Sequence, residues 1–160
     1  AKYEGSNTTL HFAASRGNLP VVKYLIRTRG FDVNVKGLHD WTPLHSACRN
    51  GQLEVVKYLM ENEDINVNAK DSKYGSTPLD LAAAYNRTVD VIKYMIEDKK
   101  CYSSPKLHGF NTPLHSAAYQ GNLSVVRYLV ENIGLNVKVR GLENRMPLHA
   151  ACRGGHLDVV

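Results

Sequence analysis

"DWTPLHSACRNGQLEVVKYL" occupies residues 40–59, and "NTPLHSAAYQGNLSVVRYL" at residues 111–129 repeats it almost letter for letter. Self-similarity at a fixed spacing marks a repeat architecture, and three further segments fall into the same frame. They are "TTLHFAASRGNLPVVKYLI" from Thr8, "TPLDLAAAYNRTVDVIKYMI" from Thr77 and "MPLHAACRGGHLDVV" from Met146. With Thr42 and Thr112 as the other starts, the steps are 34, 35, 35 and 34 residues. Five matches in step are not chance.

Each copy reads as two short helices. In the first, Leu44, Ala47 and Cys48 stand at i, i+3 and i+4 and share a face. The Thr42 hydroxyl can cap that helix, and Pro43 suits the first helical position, where no N–H is needed. Gly51 then ends the helix with a residue free to turn left-handed. The second helix carries Val55, Val56, Leu59 and Met60 as one apolar stripe, which recurs as Val21–Ile26, Val91–Ile96 and Val125–Val130. Between copies run "FDVNVKGLHD", "INVNAKDSKYG" and "LNVKVRGLEN", whose alternating apolar residues predict short strands leading to a hairpin tip. Neither helix buries its stripe alone, and stacking copy on copy closes a core.

The TPLHxAA…G…VV…L pattern with its period near 33 resembles the ankyrin repeat. The resemblance implies an all-α repeat solenoid of helix-turn-helix pairs joined by β-hairpin loops. It covers a single domain, 1–160, with repeats at 8–41, 42–76, 77–111, 112–145 and a partial one at 146–160, and residues 1–7 as the tail of a preceding hairpin. No polar outer face marks either terminal repeat, so a stretch of a longer array is expected.

Departures from the pattern are informative. Thr9 stands for the usual proline, Asp80 for the histidine, and Met146 for the capping threonine, a loss of about 1 kcal/mol unless replaced. The third copy has one extra residue and Asn86 in the glycine slot, where asparagine is expected to keep the left-handed break. Cys101 takes the slot of Phe31, Ile65 and Leu135 and is expected to be a small buried hydrophobe, with Ser103 weakening the strand after it.

Composition bounds the function. Charged residues make up 22% and hydrophobic ones 43%, an ordinary balance for a folded domain. No apolar run approaches the ~18–20 residues of a membrane span, so no membrane insertion is expected. The net charge is +5, from 20 basic and 15 acidic side chains, but the basic residues are scattered. An acidic protein or peptide partner therefore fits better than nucleic acid. Three cysteines without a CxxC pair suggest a reducing compartment, and cytoplasm is expected despite the sequons at Asn7, Asn86 and Asn122.

No active site is read here. His45–Cys48 and His149–Cys152 have zinc-ligand spacing, yet three repeats of helices ~8–10 Å apart separate the pairs. His45–Ser46 and His115–Ser116 are helix neighbours that do not face each other. No metal, cofactor, catalytic residue or small-molecule substrate is expected. In the ankyrin resemblance His11, His45, His115 and His149 are structural, tying helix to hairpin.

The same resemblance implies a protein-binding surface at the hairpin tips and at the two positions before the turn glycine. Carried over, the tips supply Leu38, His39, Trp41, Lys73, Tyr74, His108, Phe110 and Arg145. The pre-turn positions supply Arg16, Arg49, Asn50, Tyr85, Tyr119, Gln120 and Arg153. This set holds the only tryptophan, and aromatic and arginine side chains dominate binding hot spots. Tyr24, Tyr58, Tyr94 and Tyr128 recur in step and are expected to pack the scaffold. The expected function is a monomeric, non-enzymatic interaction module. The alternative is a targeting or regulatory arm of a larger enzyme, channel or secreted bacterial effector, which would act in the host cytoplasm.

Overall fold

The computed structural model describes residues 7–86, 88–98, 101 and 112–160. Helices come in antiparallel pairs. They are α1 (Thr9–Ser15) with α2 (Leu19–Arg27), α3 (Pro43–Arg49) with α4 (Leu53–Met60), and α5 (Pro78–Tyr85) with α6 (Asp90–Lys93). Then follow α7 (Pro113–Tyr119) with α8 (Leu123–Arg127), and α9 (Pro147–Gly154). The second helices of the third and fourth copies run on as wider π-type turns, Tyr94–Asp98 and Tyr128–Asn132. Two compact units result, one through Pro78 and one from Leu79.

The helices start where threonine and proline place them: Thr42 Oγ1 accepts the His45 backbone N–H, and Pro43 opens α3. They stop at glycine. Gly17 (φ 71°) and Gly121 (φ 69°) are left-handed, and each is also crowded by the next repeat. A Cβ on Gly17 would collide with Gln52 Oε1, and one on Gly121 with His156 Nδ1. Gln52 reaches that spot because its Nε2 donates to the Ser15 carbonyl (3.0 Å), a bond from one repeat to the last turn of the one before. In the second unit Asn122 does the same, donating to the carbonyls of Ala83 and Asn86.

The stripes form the core. Val22, Leu25, Val55, Val56 and Leu59 are buried with Leu10, Leu44, Ala47 and Cys48 in the first unit. Val91, Ile92, Met95, Val125 and Leu129 are buried with Ala82, Leu114 and Ala117 in the second.

Several expectations are corrected. Asn86 does not take a left-handed conformation. Its N–H continues the helical bonding to Ala82 (3.0 Å). Cys101 keeps its slot, its N–H bonding Met95 O as Phe31 bonds Leu25 O and Leu135 bonds Leu129 O, but all three are half-buried. Cys48 alone of the three cysteines is buried. Val137 is exposed where its counterpart Val33 is buried. Met146 cannot offer a hydroxyl, yet its N–H still reaches His149 Nδ1 at 3.1 Å, so half of the cap remains. Ser103 lies outside the described residues.

The joining loops form no strand ladder among the described residues. Each is closed at its neck by one backbone bond instead: Gly37 N–H to Trp41 O (2.8 Å), Asp71 N–H to Ser76 O (2.9 Å) and Gly141 N–H to Arg145 O (2.8 Å). Arms this short leave room for no second rung.

Candidate interaction surface

Every described hairpin tip hangs from a histidine. His11 Nε2 lies 2.8 Å from Trp41 O, His45 Nε2 3.2 Å from Ser76 O, and His115 Nε2 2.9 Å from Arg145 O. On the other side of each ring, Nδ1 accepts the backbone N–H of Thr8, Thr42 or Thr112 and lies 2.9 Å from that threonine's hydroxyl. A backbone N–H only donates and a carbonyl only accepts. The ring must therefore be neutral, with its proton on Nε2, and protonating Nδ1 would set two donors against each other. Burial lowers the pKa of all three below the ordinary histidine value, more than the carbonyl bonds raise it. Both ring nitrogens are committed, so these side chains serve structure. Asp80, in the same slot of the third copy, is buried as well.

The tips themselves are of two kinds. At 37–41 and 141–145 the central pairs, His39–Asp40 (φ 58° and 59°) and Glu143–Asn144 (φ 54° and 61°), are left-handed at both positions. That is the mirror-image two-residue turn suited to hairpins. Positive φ at histidine and glutamate costs about 1 kcal/mol or more per residue. Tip 71–76 is one residue longer, and Asp71 stands where Gly37 and Gly141 stand. Its buried carboxylate accepts the N–H groups of Lys73 (2.9 Å) and Tyr74, holding the loop from inside. Sequence reasoning missed Asp71. Its signal was an aspartate two residues before the lysine, the mark of an Asx-turn. Successive tips are also tied: Leu38 N–H donates to Asn7 Oδ1, and Ser72 N–H to His39 O.

In the first unit, Trp41 and Arg49 are brought together. The half-buried indole stacks on His45 (centroids 6.3 Å apart, planes at 15°), and the Arg49 guanidinium lies 5.7 Å from its centre. Trp41 is thus part scaffold, and its removal costs stability as well as contact area. Leu38 and Tyr74 are 47% and 69% exposed, and Lys73 Nζ sits 4.9 Å from the Tyr74 ring. His39, Asn50 and Arg16 are exposed, though Asn50 Nδ2 is spent on the Ser46 carbonyl (2.8 Å).

In the second unit, Tyr85 and Tyr119 are 44% and 46% exposed, and Gln120 Nε2 lies 3.5 Å from the Tyr85 hydroxyl. Arg153 is exposed, while Arg145 is paired with Glu143 and offers a partner less charge than expected. His108 and Phe110 lie outside the described residues.

The tyrosines that recur in step bridge repeats along their outer helices rather than fill the core. Tyr58 lies beneath Lys23 and Arg27 of the preceding repeat, the Tyr128 hydroxyl donates to Glu97, and Tyr24 is 52% exposed. Among the described residues no three His, Cys, Asp or Glu side chains gather as metal ligands, and no helix is long and apolar enough to cross a membrane.

Paired helices in a 34–35-residue frame, joined by loops with exposed tip residues among the described residues, define a helical repeat protein. Family models described as ankyrin repeats, one of three copies and one of many, match residues 10–106 and 109–160. The chain belongs to the ankyrin-repeat family, whose repeats mediate protein–protein interaction. No curated protein matches it.

Proposed function

We propose that the chain is a monomeric protein-binding module without catalysis of its own, holding a protein or peptide with acidic groups through its tips and pre-turn positions. The observation that carries this reading is the split between side chains spent on the scaffold and large side chains left exposed. The histidines, Asp71, Gln52 and Asn122 are spent on the scaffold. Large side chains at the tips and before the turns stay exposed: Leu38 and Tyr74 in one unit, Tyr85 and Tyr119 in the other. Exposed aromatic side chains at these positions supply the kind of area that dominates binding hot spots. Arg49 on the Trp41 face and exposed Arg16 and Arg153 suit carboxylates.

The test is capture from an extract of the native cells, with wild type, Tyr74→Ala and Tyr119→Ala as parallel baits. These two rings are exposed, so both variants should unfold within about 0.5 kcal/mol of wild type. A protein held by wild type and lost by either variant supports the reading. If every captured protein stays on both variants, the tips and pre-turn tyrosines are not the binding surface.

A further inference from the structure

Helix α2 carries a surface of different chemistry from the tips. Between Gly5 and Phe31 the sequence has no acidic side chain, while α2 carries Lys23 and Arg27 and the turn after it Arg29. In the slot of Arg27 the next three copies place Glu61, Glu97 and Glu131. One helical position thus folds with either sign of charge, so stacking does not require the arginine. In the second unit the glutamate of this slot, Glu97, accepts from the Tyr128 hydroxyl. In the first unit the equivalent ring, Tyr58, is covered by cations instead. Lys23 Nζ lies 5.5 Å from its centre and the Arg27 guanidinium carbon 5.6 Å.

Lys23, Arg27 and Arg29 are all exposed. None of the three takes part in the ion pairs Lys36–Asp40, Lys57–Glu54 and Arg145–Glu143. The negative end of a helix favours one cation in its last turn, by under ~1 kcal/mol, which accounts for Arg27 but not for all three. The Tyr58 face holds two of the heads in place, so less side-chain freedom is lost when an anion arrives.

We propose that Lys23, Arg27 and Arg29, with the Tyr58 ring beneath, are a second docking surface, one that takes a short acidic segment of a partner protein. The family's partners are proteins, and three cations match a short run of Asp or Glu. A nucleic-acid backbone track typically engages ~6–10 phosphates, more than this surface offers. The proposal does not rest on the tips.

The experiment is a fluorescence-anisotropy titration of the full chain with a labelled peptide of ten glutamates at about 0.15 M salt, where long-range steering is screened. The double variant Arg27→Glu/Arg29→Glu places in the first slot the residue its sister copies hold, so the fold is retained, and its urea midpoint verifies this. The double variant should bind the peptide at least tenfold more weakly than wild type, with Arg49→Ala losing less. Several results would overturn the proposal: no binding to wild type, a loss under tenfold in the double variant, or a loss as large in Arg49→Ala. Tighter binding of a labelled ten-residue thymidine oligonucleotide would overturn it too, by assigning the surface to nucleic acid.

Discussion

Tips 37–41 and 141–145 share one backbone and differ in what they display. Both close with a 2.8 Å bond at the neck, and both turn through two left-handed residues. One presents Leu38, His39 and an indole clasped by Arg49; the other presents Leu142, Glu143 and an arginine paired to that glutamate. Tip 71–76 reaches a comparable closure by another route, with the Asp71 carboxylate doing from inside what two strained residues do elsewhere. The loop backbone is therefore scaffold, fixed by a glycine or an aspartate at the neck and a histidine behind it. The tip side chains are what varies.

The histidine should matter most. His45→Ala removes a fully buried ring and leaves the Thr42 N–H and the Ser76 carbonyl short of a partner. A loss of about 3–5 kcal/mol in urea unfolding is expected, enough to unfold much of the unit at ambient temperature. Gly121→Ala should cost about 2 kcal/mol, from positive φ plus the approach of His156. Asn86→Gly in the third copy should bring no gain, because that position is not left-handed.

Acid should act on every histidine-hung tip alike. A histidine whose folded pKa is lowered leaves the unfolded chain binding more protons. Stability is then full above the unfolded value near 6.5 and falls as pH drops below it, by up to about 1.4 kcal/mol per histidine per pH unit, until the folded rings protonate. Urea midpoints measured from pH 7.5 down to pH 5 give the slope. A flat profile would mean that the rings take up protons in the fold as readily as in the unfolded chain.

Asp71→Ala should cost about 1–2 kcal/mol and loosen only its own tip, seen as faster amide exchange at Lys73 and Tyr74. Arg145→Ala breaks only an exposed pair and should change stability by less than about 0.5 kcal/mol, which a thermal melt would register as no shift.

The period, the Thr–Pro helix starts, the glycine stops and the buried stripes were legible because each leaves a regular mark in the sequence. Burial along a helix repeats every three or four residues, and left-handed turns select glycine. The bonds that join repeat to repeat leave no such mark. Asn34, which spans two copies through Asp64 O and Asn66 N, looks like any loop asparagine, and Gln52 like any residue after a turn. Asp71 was hidden by the extra residue that shifts its slot. The positions proposed for binding came from the repeat frame, which says nothing of what surrounds each side chain. Nothing in "HDWTPLHSACR" says that Trp41 lies on His45 and under Arg49, since that depends on how the tip folds back over its own helix.

Beneath the rest lies one arrangement: each described tip is bolted to its stack by an uncharged ring. Long-range nitrogen–proton correlation spectra of the histidines read this directly. His11, His45 and His115 should show an unprotonated Nδ1 and a protonated Nε2 at neutral pH, and keep that form as the pH falls below the ordinary histidine value near 6.5. Rings that exchange between tautomers, or that protonate at or above the ordinary histidine value, would contradict it.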